Sequence, residues 1–126
     1  EPVTDVLLVA VGGAVGGPSR FLLDTWVQRR VRSPMPVGTI TINLSGALLL
    51  GVLSGLLADG RLTAGAGLLA ATGFCGAFTT FSTMTFEAIR LVEEAAWRTL
   101  AGYLGITVVG GILAAGIGRW LVTVLP

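Results

Sequence analysis

The sequence contains no lysine, no histidine and a single cysteine, Cys75. All eight of its basic residues are arginine. Without histidine the chain lacks the commonest general base and the commonest metal ligand. A lone cysteine forms neither an internal disulfide nor a cysteine-rich metal site. Charge is scarce: 12% of residues are charged, against about 25% in soluble domains. The net charge is +1, so no overall field draws nucleic acid. No Gly-x-Ser-x-Gly elbow, phosphate loop or histidine cluster occurs. Ser82 and Thr83 have no base beside them, which argues against an enzyme. The chain opens on Glu1 rather than Met and has no basic start before a short apolar run. A trimmed N-terminus without a signal peptide is the expectation.

What is present is apolar. Of 126 residues, 53% are hydrophobic, and the mean hydropathy is +0.86. That length suits one domain, and in water such a surplus leaves adhesive surface uncovered. In lipid it suits the solvent. Four stretches reach the roughly 20 residues needed to cross the hydrocarbon core. They run over about residues 3–27, 37–58, 62–92 and 99–125, forming a single four-span domain. The composition predicts an all-α, multi-pass protein of the cell inner (plasma) membrane. Arg29, Arg30 and Arg32 follow the first span, and Arg90 and Arg98 flank the loop after the third. Arg61 and Arg119 lie toward the other side, so the bias places the first and third loops in the cytoplasm.

Glycine is abundant and patterned. Gly12 and Gly16, Gly13 and Gly17, and Gly51 and Gly55 are each four apart. Such pairs let helix backbones approach closely in lipid. Polar residues at membrane depth need partners or a cavity. Thr39 and Asn43 share a helix face, either as glue between helices or as donors lining a pore. The third span carries glycines, then hydroxyls alternating with aromatics, from Gly73 to Thr85. These are poor helix formers, so we expect a break near mid-span, from Gly73 to Thr80. Freed carbonyls at such a break suit a cation. The alternative is an ordinary helix whose hydroxyls bond back to their own carbonyls. Thr80, Thr83 and Glu87 then face one way. Glu87 either snorkels toward water or joins a pathway. Tyr103 and Thr107 share a face of the fourth span, although Tyr103 also suits an interfacial belt. Arg20 lies deep enough in the first span to need partners such as helix carbonyls, a structural role.

Three segments together resemble the Fluc (CrcB) fluoride channels. They are Gly12-Gly13-Ala14-Val15-Gly16-Gly17-Pro18-Ser19-Arg20-Phe21, Gly38-Thr39-Ile40-Thr41-Ile42-Asn43-Leu44-Ser45-Gly46 and Gly73-Phe74-Cys75-Gly76-Ala77-Phe78-Thr79-Thr80-Phe81-Ser82-Thr83. The resemblance covers essentially the whole chain. It implies a small dimer, or dimeric bundle, of antiparallel subunits with two fluoride pathways, conferring fluoride resistance by passive export. It also implies a structural sodium ion at the centre, held by the backbone carbonyls of Gly76 and Thr79. By the same resemblance the pathway takes in Asn43, Phe81, Thr83, Glu87, Tyr103 and Thr107. Met84 stands where the family carries a second phenylalanine, and the hydroxyl track stops short at Gly111. The partner is a second copy with dual topology or a paired homologous subunit with fixed orientation.

The residues suit that chemistry. Fluoride is strongly hydrated, so a pore must replace water with donors. Hydroxyls and an amide donate, and no lysine traps the ion. A ring edge such as that of Phe81 is electropositive, whereas the thioether of Met84 is polarizable but has no such edge. A weak track of several sites lets the ion leave as well as enter. The alternative reading is a proton-coupled small multidrug exporter, which needs a carboxylate at mid-depth in the first span. Asp5 and Asp24 lie near that span's ends instead.

Overall fold

The computed structural model describes all residues, 1–126. Helix α1 covers Pro2–Arg30, α2 covers Val37–Ala58 and the last helix, α5, covers Trp97–Val124. Between α2 and α5 the third span, Ala64–Glu93, is made of two helical pieces. The first, α3, runs over residues 64–78 and is α-helical at both ends, with a π-helical middle at Leu68–Cys75. The second, α4, covers Ser82–Glu93. All four spans are long and apolar enough to cross a membrane.

Local chemistry sets the ends. Pro36 precedes α2, and Thr63 caps α3 by accepting from the Ala66 N–H at 3.2 Å. After α2, Gly60 adopts φ +68°. Its N–H donates to Leu57 O at 3.1 Å, and that of Arg61 donates to Leu56 O at 2.9 Å. This is a Schellman closure, and glycine suits its left-handed residue. The turn after α4 repeats the pattern with Ala95 at φ 53°. Ala95 N–H donates to Val92 O and Ala96 N–H to Leu91 O.

Packing is glycine-led. A Cβ on Gly12 or Gly16 would strike backbone atoms of α3 at Leu69 and Phe74. One on Gly51 would strike Ala115 of α5, and one on Gly118 would strike Leu48 of α2. The pairs α1–α3 and α2–α5 are therefore in backbone contact, where dispersion is densest. Gly17 meets nothing within 4 Å. Only 21 of 126 residues are buried, and exposed Val, Leu, Ile, Phe and Trp cover the outer surface. That surface is an interior turned outward, as lipid requires. A small core of Ile40, Leu91 and Tyr103, with Met35, Leu44, Met84 and Leu100 against it, ties α2, α4 and α5 together beside the break.

The break is shorter and later than the expected Gly73–Thr80. Gly73 to Phe78 remain helical, and the chain leaves the helix at Thr79, which is extended at φ −75°, ψ 157°. The physical reason lies in α1. Gly73 packs against Val9 and Gly12 with no room for a Cβ, so its missing side chain serves helix contact rather than unwinding.

Candidate functional site

The last backbone bond of α3 runs from Thr79 N–H to Cys75 O at 3.0 Å, and the Thr79 hydroxyl bonds the same carbonyl at 2.9 Å. That is the back-bonding of the unbroken alternative, and Thr85 repeats it beyond the break by donating to Phe81 O at 2.9 Å. Thr80 then turns to α2. Its N–H donates to Asn43 Oδ1 at 2.9 Å, and its carbonyl accepts from Asn43 Nδ2 at 3.0 Å. The Asn43 amide thus stands in for a neighbouring peptide and satisfies both polar groups of a buried residue. The Thr80 hydroxyl caps α4 by accepting from Thr83 N–H at 3.2 Å, and it donates to Thr83 Oγ1 at 3.0 Å. Helical bonding resumes with Thr85 N–H to Phe81 O at 2.9 Å.

Two consequences follow for chemistry. First, the carbonyls of Gly76, Ala77, Phe78 and Thr79 receive no backbone N–H. They are hard oxygen donors at the C-terminal end of a helix, where the dipole is negative. Second, two donors remain unspent: the second amide hydrogen of Asn43 and the hydroxyl hydrogen of Thr83.

A second cluster lies on α4 and α5. The fully buried Tyr103 donates its hydroxyl to Glu87 Oε2 at 2.8 Å. The Thr107 hydroxyl donates to the Tyr103 carbonyl at 2.7 Å, so its hydrogen is used within its own helix. Tyr103 is therefore not an interfacial belt residue in this fold. Glu87 lines a cavity of about 390 Å³ that opens at the α1–α2 loop, with Gln28, Arg32, Ser33, Thr39 and Arg90. A smaller cavity, about 200 Å³, lies between α1 and the break and is lined by Arg20, Asp24, Thr39, Thr80 and Thr83. Thr39, only 1% exposed, lines both.

Arg20 makes no hydrogen bond or ion pair, so the carbonyl partners expected of it are absent; it borders the smaller cavity with Asp24, four residues on. A groove of about 540 Å³ is lined by Asn43, Gly76, Thr79, Phe81, Met84 and Thr107 together. Phe81 is 76% exposed there. Met84 reaches both ways, lining the groove and packing against the Ile40–Leu91–Tyr103 core.

The structure therefore gathers Asn43, Thr80 and Thr83 at one point and Glu87 with Tyr103 at another, while Thr107, a turn along α5, lines the groove with Asn43. Thr39, which the sequence offered as glue between helices or as a donor lining a pore, stands among them, and so does Asp24, which the sequence raised only as a carboxylate near the end of the first span. Their signal was helical spacing: Thr39 is four before Asn43, and Asp24 is four after Arg20.

Four membrane-spanning helices, one interrupted beside a line of hydroxyl, amide and carboxylate groups, define a multi-pass membrane transport protein. The family profile described as "CrcB-like protein, Camphor Resistance (CrcB)" matches residues 7–119. The chain is 46% identical over 121 residues to the fluoride-specific ion channel FluC 1 of Nocardia farcinica, covering 93% of this chain and 82% of that one. It is 44% identical over 115 residues to FluC 2 of Moorella thermoacetica, covering 91% and 93%. With FluC 2 of Mycolicibacterium paratuberculosis it shares 48% over 113 residues, covering 90% and 89%. The chain belongs to the CrcB/FluC family.

Proposed function

We propose that this protein is a fluoride-selective channel that exports fluoride passively through two pathways of an antiparallel dimer. The observation that carries the proposal is the line of donors at the break. Asn43 and Thr83 each keep a free hydrogen, and no lysine competes for the anion. A small, strongly hydrated anion gives up water only where donors replace it, and neutral donors hold it weakly enough to release it. The relatives, named as fluoride-specific ion channels, support the same reading.

In this reading fluoride enters the cavity beside Glu87 and passes Thr39 and Tyr103. It then meets Thr83 and Asn43 and the ring edge of Phe81. Thr107 contributes after its hydroxyl rotates away from the Tyr103 carbonyl. Met84 fills the place of a second aromatic by shape and polarizability. Arg20 supplies positive potential from the α1 side. The exposed groove is the face a second copy, or a paired homologous subunit, covers.

The bare carbonyls at the end of α3 suit a structural sodium ion, because hard cations take oxygen ligands. Gly76 and Thr79 are the residues that would hold it, and Gly76 is open to the groove with nothing within 4 Å of an added Cβ. The ion would supply fixed positive charge and bind the two copies together.

The test is efflux from liposomes loaded with fluoride and chloride and carrying only this purified chain. Fluoride is expected to leave and chloride to be retained. Equal efflux of both overturns the selectivity. No efflux by the single chain, restored by a homologous subunit, assigns the paired arrangement.

A further inference from the structure

The arginines at the two ends of the bundle are used differently. At the end where α2 and α5 terminate, Arg61 Nη1 donates to Val122 O and Leu125 O at 3.4 Å each. Arg119 Nη1 there donates to Ser54 O at 3.3 Å. Both are engaged with helix carbonyls. At the opposite end Arg90 is paired with Glu94 at 3.0 Å. Arg29 and Arg30, in the last turn of α1, are exposed and have no acid partner. The nearest acid on their helix, Asp24, accepts from Gln28 at 2.8 Å instead. The Arg30 guanidinium lies 4.6 Å from the centre of the Trp26 ring, which holds its charge over the aromatic face.

Below this pair runs an apolar stripe. Val15, Leu22 and Trp26 fall on one face of α1, with Ser19 between them, its hydroxyl donating to Val15 O at 2.7 Å, and Arg29 and Arg30 about a turn beyond. Each of the three is more than half exposed. At 1.5 Å per residue the stripe from Val15 to Trp26 is about 16 Å long. That is about half of the roughly 30 Å hydrocarbon core, one leaflet deep.

We propose that the C-terminal half of α1 is a binding site for one anionic phospholipid. Its acyl chain lies along Val15, Leu22 and Trp26, and its phosphate is held by Arg29 and Arg30. The stripe selects a lipid over a soluble phosphate or a nucleic acid, because neither of those covers 16 Å of apolar surface. The site lies on the outer face of α1 and is independent of the proposed ion pathway.

A W97F/W120F background leaves Trp26 as the sole tryptophan. In phosphatidylcholine liposomes, a fixed fraction of acyl-brominated phosphatidylglycerol is expected to quench Trp26 more than the same fraction of brominated phosphatidylcholine. The expected local enrichment is about fivefold, equivalent to about 1 kcal/mol. R29Q/R30Q is expected to abolish the preference, with helix content unchanged by circular dichroism because both side chains are exposed. Equal quenching by the two lipids overturns the proposal. So does quenching by neither, which would show protein covering the stripe. Loss of the preference on exchanging chloride for inorganic phosphate at constant ionic strength would assign a soluble anion instead, and a preference that survives R29Q/R30Q would remove the arginines from the site.

Discussion

Replacing Asn43 tests whether its first task is to hold the break. Asn43→Leu removes both bonds to Thr80, at 2.9 and 3.0 Å, and leaves a buried N–H and C=O unpaired. Each orphaned group costs about 1–3 kcal/mol in water-based measurements. Hydrogen bonds between membrane helices average about 0.6 kcal/mol. Two bonds therefore bracket a loss of about 1–6 kcal/mol. Asn43→Asp is more informative. Ionised, its carboxylate still accepts from Thr80 N–H, but its second oxygen faces the Thr80 carbonyl, acceptor against acceptor. Protonated, it donates to that carbonyl and restores the clamp. The assay is the unfolding midpoint of the purified variants in mixed micelles against pH. N43D is expected to be less stable than wild type at neutral pH and to recover in acid, while N43L stays low throughout. Fluoride efflux is expected to vanish for N43D at neutral pH. A wild-type midpoint for N43L, or a pH-independent N43D, would refute the clamp and leave Asn43 a pathway residue only.

Other substitutions probe the remaining contacts. Gly12→Ala drives a methyl group into the α3 backbone at Leu69 and should destabilise by about 1–3 kcal/mol. Gly17→Ala, with nothing within 4 Å, should be neutral or stabilise by up to about 1 kcal/mol. Equal midpoints for the two would contradict the packing account. Tyr103→Phe removes the donor to Glu87 and should lower both stability, by about 1–2 kcal/mol, and fluoride efflux. Unaltered efflux would place the hydroxyl outside the pathway. Ala95→Gly relieves the left-handed φ of 53° and should raise the unfolding midpoint by the equivalent of about 0.5–1 kcal/mol. A lower midpoint would show that the turn is held by its surroundings instead.

The four spans were legible because hydrophobic length is a property of consecutive residues. The glycine contacts were partly legible for the same reason. Spacing of four marked Gly12, Gly16, Gly51 and Gly55, but spacing alone did not separate them from Gly17, which touches nothing. Legible too was the presence of an interruption in the third span, since hydroxyls and glycines there are weak helix formers. Its place was not. Gly73 has the composition of a breaker and stays helical, because α1 uses its missing side chain. The helix instead opens where another helix offers a replacement for its lost bonds. Asn43 is 37 residues from Thr80, and only the fold brings the amide to the peptide. The same holds for Tyr103 and Glu87, 16 residues apart. Sequence alone determined how many times the chain crosses and which residues are too polar to face lipid. Tertiary structure decided which of them partner one another, because a hydrogen bond depends on distance and direction in space.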